Sequence, residues 1–304
     1  MRIAVTGATG FLGRYLVSQL AAAGHQLQCW HRPGSERSGF DQQAGSIQWL
    51  PGQLGDGPAS AELVRGADAL VHAAVQWQGP RNRGQGSHGD PDVFFGVNLA
   101  GSLQLFQSAL DAGVSRCVFI STCAVHEVIL DDRPLDETHP LMPTSHYGAH
   151  KAALEKFVHS LGFGQGWPIC ALRPTGIYGL AHPAASSRWF DLVGQVLRGE
   201  AIASARGGKE VHALDVARAV ELFLTVDAKV ITGQAFNCYD RYISEQEVAQ
   251  IAKELSNSSS TIANLNRGPK HQIDTRKLRG VGMAFGGQEL LKRTVQELIL
   301  AHGN

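Results

Sequence analysis

The sequence predicts an α/β fold, a parallel sheet covered by helices on both faces. Three observations predict it. Short β-branched runs alternate with longer helical patterns through the first two-thirds of the 304 residues, the pattern of βαβ units. The first of these runs leads directly into a glycine turn, VTGATGFLG, at the start of a helical stretch. Beyond residue 174 the alternation becomes less regular, which predicts a smaller region built from the C-terminal part.

Each element follows from local pattern. RIAVT (2–6) precedes a helix near 11–23, and QLQCWH (26–31) and SIQWL (46–50) supply the next strands. A helix near 59–65 leads to ALVHA (69–73), one near 92–112 to RCVFIS (116–121), and one near 146–162 to PICALR (168–173). In the last of these helices Ser145 stands at the N-cap, and Leu154, Phe157, Val158 and Leu161 share a face. A helix near 186–198, the piece KEVHALDVARAVELFL and a helix near 287–302 make up the C-terminal part. The polar, glycine-rich stretch 76–91 directly follows the fourth strand. It reads either as the border of a site at the carboxyl ends of the strands or as a surface excursion.

Composition narrows the function classes. Hydrophobic residues make up 43% and charged residues 18%, and 27 basic residues balance 27 acidic ones, so no charge footprint points to nucleic acid or an anionic membrane. No apolar run reads as long enough to cross a bilayer, and the N-terminus has no signal-peptide pattern. Cys29, Cys117, Cys123, Cys170 and Cys238 are scattered, four of them in apolar surroundings, so a reducing cytoplasm is the expected compartment. His126, His139, His146 and His150 crowd one region but show no ligand spacing. They read as loop and helix-surface residues, and no metal site is expected.

The glycine turn carries the first chemistry. Gly7, Gly10 and Gly13 allow a tight turn, close approach of backbone to a pyrophosphate, and close packing of helix on strand. The helix start then offers N–H donors and a positive dipole end to phosphates. Within a βαβ unit this context predicts a dinucleotide site.

The spacing Gly-x-x-Gly-x-x-Gly resembles the extended short-chain dehydrogenase/reductase superfamily, the branch of NAD(P)-dependent epimerases, dehydratases and reductases. The likeness continues in ADALVHAAV with His72, Ala73 and Ala74, in VNLAGSLQLFQSALDAGVSRCVFIST with Asn98, in LRPTGIYG (172–179) and VHALDVARAV (211–220), and in the C-terminal RKLRGVG and ELLKRTVQELI. The resemblance implies a Rossmann-type doubly wound parallel sheet in a dinucleotide-binding domain over 1–174, to which 211–240 returns. Residues 175–304 would mostly form a substrate-binding region. It further implies cofactor contacts from Gly7, Gly10, Phe11, Leu12, Gly13, Arg32, Ser35, Gln53, Leu54, Ala73, Ala74, Asn98, Tyr147, Lys151 and Pro174. Relatives often dimerise through the helices that here contain Asn98–Ala112 and Tyr147–Leu161. The stripe Leu99, Leu103, Phe106 and Leu110 fits that or simple core burial.

In this family a Tyr-x-x-x-Lys pair is catalytic and a Ser or Thr lies upstream. Here these would be Tyr147, Lys151 and Thr122, which lies 25 residues before the tyrosine. Taken alone, the pair also reads as a surface tyrosine beside a solvated lysine, and Thr122 as a hydroxyl satisfied by local backbone. The chemistry favours the catalytic reading. A free tyrosine has a pKa near ~10, and an adjacent ammonium with a positive nicotinamide ring favours its phenolate. Tyr147 would then exchange a proton with the substrate oxygen, Lys151 would hold the nicotinamide ribose, and Thr122 would fix the reacting oxygen.

The second strand ends in His31-Arg32-Pro33-Gly34-Ser35, without the carboxylate by which NAD enzymes hold the ribose. Arg32 and Ser35 could meet a 2′-phosphate, so NADP is expected, with NAD as the alternative if Arg32 is only a solvated loop residue. Gln53 replaces the family's adenine-binding aspartate, and its amide oxygen can accept the same bond. Relatives acting on nucleotide sugars often carry an asparagine at Gly176 and an arginine at Gly208. Arg206 or Lys209 could stand in for that arginine, though a lysine is no bidentate clamp. Cys123 and Ala124 follow Thr122 where sugar-nucleotide dehydratases have Asp-Glu, which argues against water elimination. The expected function is hydride transfer between the nicotinamide and a secondary alcohol or carbonyl of a small molecule. A sugar epimerase with transient oxidation is the alternative, and a non-catalytic NADP-binding sensor ranks last.

Overall fold

The computed structural model describes residues 1–77, 91–265 and 268–303, so most of the glycine-rich stretch 76–91 lies outside the described residues. Along the chain β1 (Arg2–Thr6) is followed by α1 (Phe11–Ala22), β2 (Gln26–His31), β3 (Ile47–Pro51), α2 (Gly57–Val64) and β4 (Ala69–His72). A π-helical stretch, Val93–Ala100, continues into α3 (Gly101–Asp111), then come β5 (Arg116–Ile120), α4 (His146–His159) and β6 (Ile169–Pro174). The remaining elements are β7 (Gly176–Tyr178), α5 (Phe190–Leu197), β8 (Gly207–His212), α6 (Ala213–Thr225), α7 (Ala228–Ile231), β9 (Gln234–Cys238), β10 (Arg241–Ser244), α8 (Glu245–Ser256), α9 (Arg276–Gly280) and α10 (Gly287–His302).

Seven strands pair in the order β3-β2-β1-β4-β5-β6-β9, every pair parallel. The central strands are apolar on both faces, as burial under two helical layers requires: Ile3, Ala4, Val5, Leu70, Val71, Val118 and Phe119 are fully buried. The order reverses between β1 and β4, the switch point at which such sheets bind ligands. This sheet belongs to one compact unit, Met1–Pro174 with Ala217–Cys238 and Asp274–Met283. The second unit, Thr175–Val216, Tyr239–Ile273 and Ala284–Asn304, holds a three-stranded sheet ordered β10-β8-β7. Its core packs Val193, Val196, Val248, Ile251, Leu291, Val295 and Leu298.

Local chemistry explains the helix starts. Asp56 caps α2 by accepting from Ala59 N at 3.0 Å, so the helix begins at Gly57 rather than 59. Ser145 caps α4 as its sequence predicts, accepting from Gly148 N at 3.1 Å.

Several expectations need correction. The helix expected near 92–112 is π-helical to Ala100, and the one expected to 162 turns π-helical after His159. The stretch Val93–Asp111 is long and apolar enough, by length and composition alone, to cross a membrane, contrary to the sequence reading. Its Phe94 is buried, and its Leu105, Phe106 and Ala109 lie in the core of the first unit. His126, His139 and His150 are buried rather than on loop and helix surfaces: His126 is held by Arg173 and the Pro140 carbonyl, His139 by Leu130 N and the Pro140 carbonyl, and His150 by the His146 carbonyl and the Phe94 ring.

Candidate active site

β1 delivers Thr6 and the glycine turn to the switch point. Gly7 has φ of +73°, and a Cβ there would meet the Ala73 carbonyl carbon and Ala74 nitrogen at 2.9 Å, so only glycine lets the turn lie against the end of β4. A Cβ at Gly13 would collide with the Gly7 carbonyl, so the third glycine serves packing of α1 on the turn. The N-cap of α1 is Gly10, which offers no side chain, and the first turn holds no acidic residue. Among the described residues no side chain caps that end, which leaves it open to an anion.

One cleft gathers most of the expected cofactor residues: Gly7, Gly10, Arg32, Ser35, Gln53, Leu54, Ala73 and Ala74, joined by Gln76 and Trp30. Arg32 and Ser35 close a tight turn in which Ser35 N donates to the Arg32 carbonyl at 3.0 Å and Ser35 Oγ accepts from Arg32 N at 3.1 Å. The Arg32 side chain stays exposed on the cleft rim. Trp30 lies under Gly52, where a Cβ would strike the indole, and its buried Nε1 has no hydrogen-bond partner among the described residues. An open helix end, a glycine cradle, a rim arginine and an orphaned donor together fit a phosphate-bearing dinucleotide. Phe11, Leu12, Gly13, Asn98, Tyr147, Lys151 and Pro174 are not among the residues lining this cleft.

A buried polar chain holds the cleft's wall, and sequence reasoning missed it. Thr6 Oγ1 accepts from Ala73 N and Ala74 N, both at 3.1 Å, so its own proton goes to His72 Nδ1 at 2.7 Å. His72 therefore carries its proton on Nε2 and donates to Ser102 Oγ at 2.8 Å, which in turn donates to the Asn98 carbonyl at 2.5 Å. Burial, with the Lys151 charge and His150 adding to it, holds His72 well below its ordinary 6.5, consistent with this neutral tautomer. The Asn98 amide grips Gln76 in both directions, accepting from its N–H at 2.7 Å and donating to its carbonyl at 2.9 Å. Asn98 thus acts on the cleft through Gln76.

β5 and α4 bring the remaining candidates together. Thr122 follows β5 and accepts from Ala124 N at 3.1 Å, which leaves its hydroxyl proton for another acceptor. Gly148 lets the first turn of α4 approach this segment, since a Cβ there would lie 2.6 Å from the Ala124 carbonyl. The Glu127 carboxylate anchors the same turn, accepting from the backbone and hydroxyls of Thr144 and Ser145. Burial pulls this carboxyl upward, but the hydrogen bonds outweigh it and hold it below its ordinary 4.5.

Tyr147 is half-buried, its ring 5.0 Å from Trp77 and 5.5 Å from His150. Lys151, one turn on, is 2% exposed. Its Nζ donates to the Ile120 carbonyl at 2.7 Å and lies 4.5 Å from the Phe119 ring centre, with His72 stacked on that ring. Burial pushes Lys151 down from 10.5 to about 7, opposed by the Glu155 carboxylate. The lysine is thus no solvated ammonium.

Comparison with known proteins agrees with this geometry. A sequence model of the NAD dependent epimerase/dehydratase family matches residues 3–238. The chain is 33% identical over 254 residues to 4-hydroxy-2-methyl-3-oxo-4-farnesyl-3,4-dihydroquinoline-1-oxide ketoreductase of Stigmatella aurantiaca, covering 74% of this chain and 72% of that protein. It is 30% identical over 182 residues to UDP-glucose 4-epimerase of Lacticaseibacillus casei, covering 59% of this chain and 52% of that one. The chain spans about half the length of that epimerase and of a 3 beta-hydroxysteroid dehydrogenase/isomerase from Mycobacterium tuberculosis. Among solved structures, dTDP-glucose 4,6-dehydratase from Streptomyces venezuelae, with NAD and TYD bound, superposes with a TM-score of 0.77 at 24% identity, covering 100% of this chain and 98% of that one. UDP-glucose 4-epimerase from Thermotoga maritima gives 0.78 at 21% identity, covering 100% and 99%. These likenesses show the Rossmann-type fold. Family match and relatives together identify the chain as an enzyme of the NAD-dependent epimerase/dehydratase family.

Proposed function

We propose that this enzyme is an NADP-dependent oxidoreductase that interconverts a carbonyl and a secondary alcohol on a small molecule carrying no nucleotide diphosphate. The observation that carries the reaction type is the buried Lys151 on one helix face with Tyr147, beside the strand end that presents Thr122. A nicotinamide bound in the cleft would supply or accept the hydride. Tyr147 exchanges the proton with the substrate oxygen, Lys151 in its charged form favours the phenolate, and Thr122 donates its free proton to the same oxygen. The rim position of Arg32 supports NADP, because a guanidinium matches a 2′-phosphate.

Packing in the second unit supports a substrate without a diphosphate. Glu210 is 1% exposed, and its carboxylate fills the space beside Gly176 and Gly208, where any Cβ would collide with it. An asparagine or arginine at these positions would have to displace the Glu210 carboxylate from its pairing, which disfavours the residues associated with nucleotide sugars. That pairing is with Arg188 at 2.6 Å. The ketoreductase of Stigmatella aurantiaca, whose name contains no nucleotide, is in keeping with this reading.

The test measures NADPH and NADH oxidation by the purified enzyme with a panel of aldehydes and ketones, alongside UDP-glucose. Ketone reduction with NADPH that is lost in Tyr147→Phe is expected. Interconversion of UDP-glucose and UDP-galactose without net nicotinamide turnover would overturn the proposal.

A further inference from the structure

A second buried network ties α4 to the end of β5, beside the turn that carries Thr122. Glu155 lies one turn beyond Lys151 and is 0% exposed. Its Oε1 accepts from Ser121 Oγ at 2.5 Å, and Ser121 immediately precedes Thr122. Arg173 of β6 binds the same carboxylate as a fork, with Nε 3.0 Å from both oxygens and Nη2 2.6 Å from Oε2. Arg173 Nη1 donates to His126 Nε2 at 3.2 Å, and His126 Nδ1 donates to the Pro140 carbonyl at 3.3 Å. Arginine is donor-only and a carbonyl acceptor-only, so His126 is fixed as the neutral Nδ1–H tautomer.

We propose that Glu155, clamped by Arg173 and Ser121, is a positioning residue that locks the helix bearing Tyr147 and Lys151 against the strand end bearing Thr122. This rests on the reading of those three residues given above. A buried ion pair gains little stability over an apolar pair, so its fourfold hydrogen bonding is better explained by geometry than by net stabilisation. The carboxylate also acts on Lys151. The groups around that lysine are Tyr147, His150 and Glu155 on its own helix, His72 at the end of β4, the Phe119 ring and Ile120 carbonyl of β5, and Arg173 behind Glu155. Burial, with the Lys151 charge second, holds His72 well below its ordinary value and takes His150 to about 3, so both are neutral near pH ~7. Among these groups Glu155 is then the one that raises the Lys151 pKa, against the burial that lowers it.

The test is titration of the Lys151 side chain by NMR of the full-length protein labelled at lysine Cε, the resonance assigned through Lys151→Met. Glu155→Gln is expected to lower the Lys151 midpoint by about one unit, and Glu155→Asp to restore most of it. An unchanged midpoint in Glu155→Gln, or no recovery in Glu155→Asp, overturns the proposal. Should Glu155→Gln not fold, Ser121→Ala leaves the ion pair intact and cuts only the strand link. Faster amide exchange at Thr122 and Cys123, with Leu105 unchanged, is then expected, and unchanged exchange at all three positions overturns it. Neither readout needs substrate or cofactor, so failure here leaves the hydride-transfer reading standing. Normal turnover by Tyr147→Phe would sink that reading and leave of this one only the link between α4 and β5.

Discussion

Acid should destabilise the fold through His126, and the size of the effect follows from its environment. Burial, reinforced by the Arg173 charge, takes its pKa from the ordinary 6.5 down to about 4. Unfolded chain therefore binds a proton below 6.5 that the folded chain refuses until about 4. The stability contributed by neutral His126 is complete above the unfolded value and is lost progressively as pH falls toward the folded one. At about pH 5 the unfolded group is roughly 1.5 units below its midpoint, which at ~1.4 kcal/mol per unit costs about 2 kcal/mol. His126→Gln keeps an acceptor for Arg173 but takes up no proton. Urea denaturation of both proteins at about pH 8 and about pH 5 isolates the difference, since other titrating groups are common to both. The wild type should lose about 2 kcal/mol more than the variant over that interval. Equal losses would refute the reasoning, and with it the neutral Nδ1–H assignment.

Other consequences are direct. Arg32→Ala should weaken NADPH binding about tenfold or more and leave NADH binding nearly unchanged, as read by nicotinamide fluorescence, since one charge-assisted contact to the 2′-phosphate is lost. Gly208→Arg sets a guanidinium against the Glu210 carboxylate, where it should pair, and so should confer no binding of UDP-glucose by calorimetry. Ser145→Ala removes the α4 cap and one donor to Glu127, so a loss of about 1 kcal/mol or somewhat more is expected by denaturant titration.

What was legible in the sequence was local. The strand from Arg2 to Thr6 and the final helix from Gly287 to His302 appear where periodicity puts them, and Ser145 caps α4 as expected. Gly7 and Gly13 were readable because positive φ and close packing leave glycine as the choice. The C-terminal unit was harder. β7 has three residues and β10 four, too few to show an alternation. Helix α8 had a usable signal that was overlooked: Ser244 accepts from Glu247 N, a Ser-x-x-Glu start before Val248, Ile251 and Ala252.

The networks around the candidate site were invisible for another reason. Thr6 meets His72 across 66 residues, Glu155 meets Arg173 across 18, and His126 meets Arg173 across 47. No local pattern encodes such pairs. The same gap explains why His126 read as a surface residue, since its burial depends on Arg173 far along the chain. Lys151 shows it most sharply. Its place four residues after Tyr147 was plain, but only the fold reveals that Phe119, Ile120 and Glu155, rather than water, surround its ammonium.

The most direct test of the central claim is NADPH-dependent ketone reduction by the wild type and Tyr147→Phe, with NADPH binding measured in both. The account predicts turnover by the wild type, a loss of at least about 100-fold in the variant, and unchanged cofactor binding. Undiminished reduction by Tyr147→Phe would contradict it.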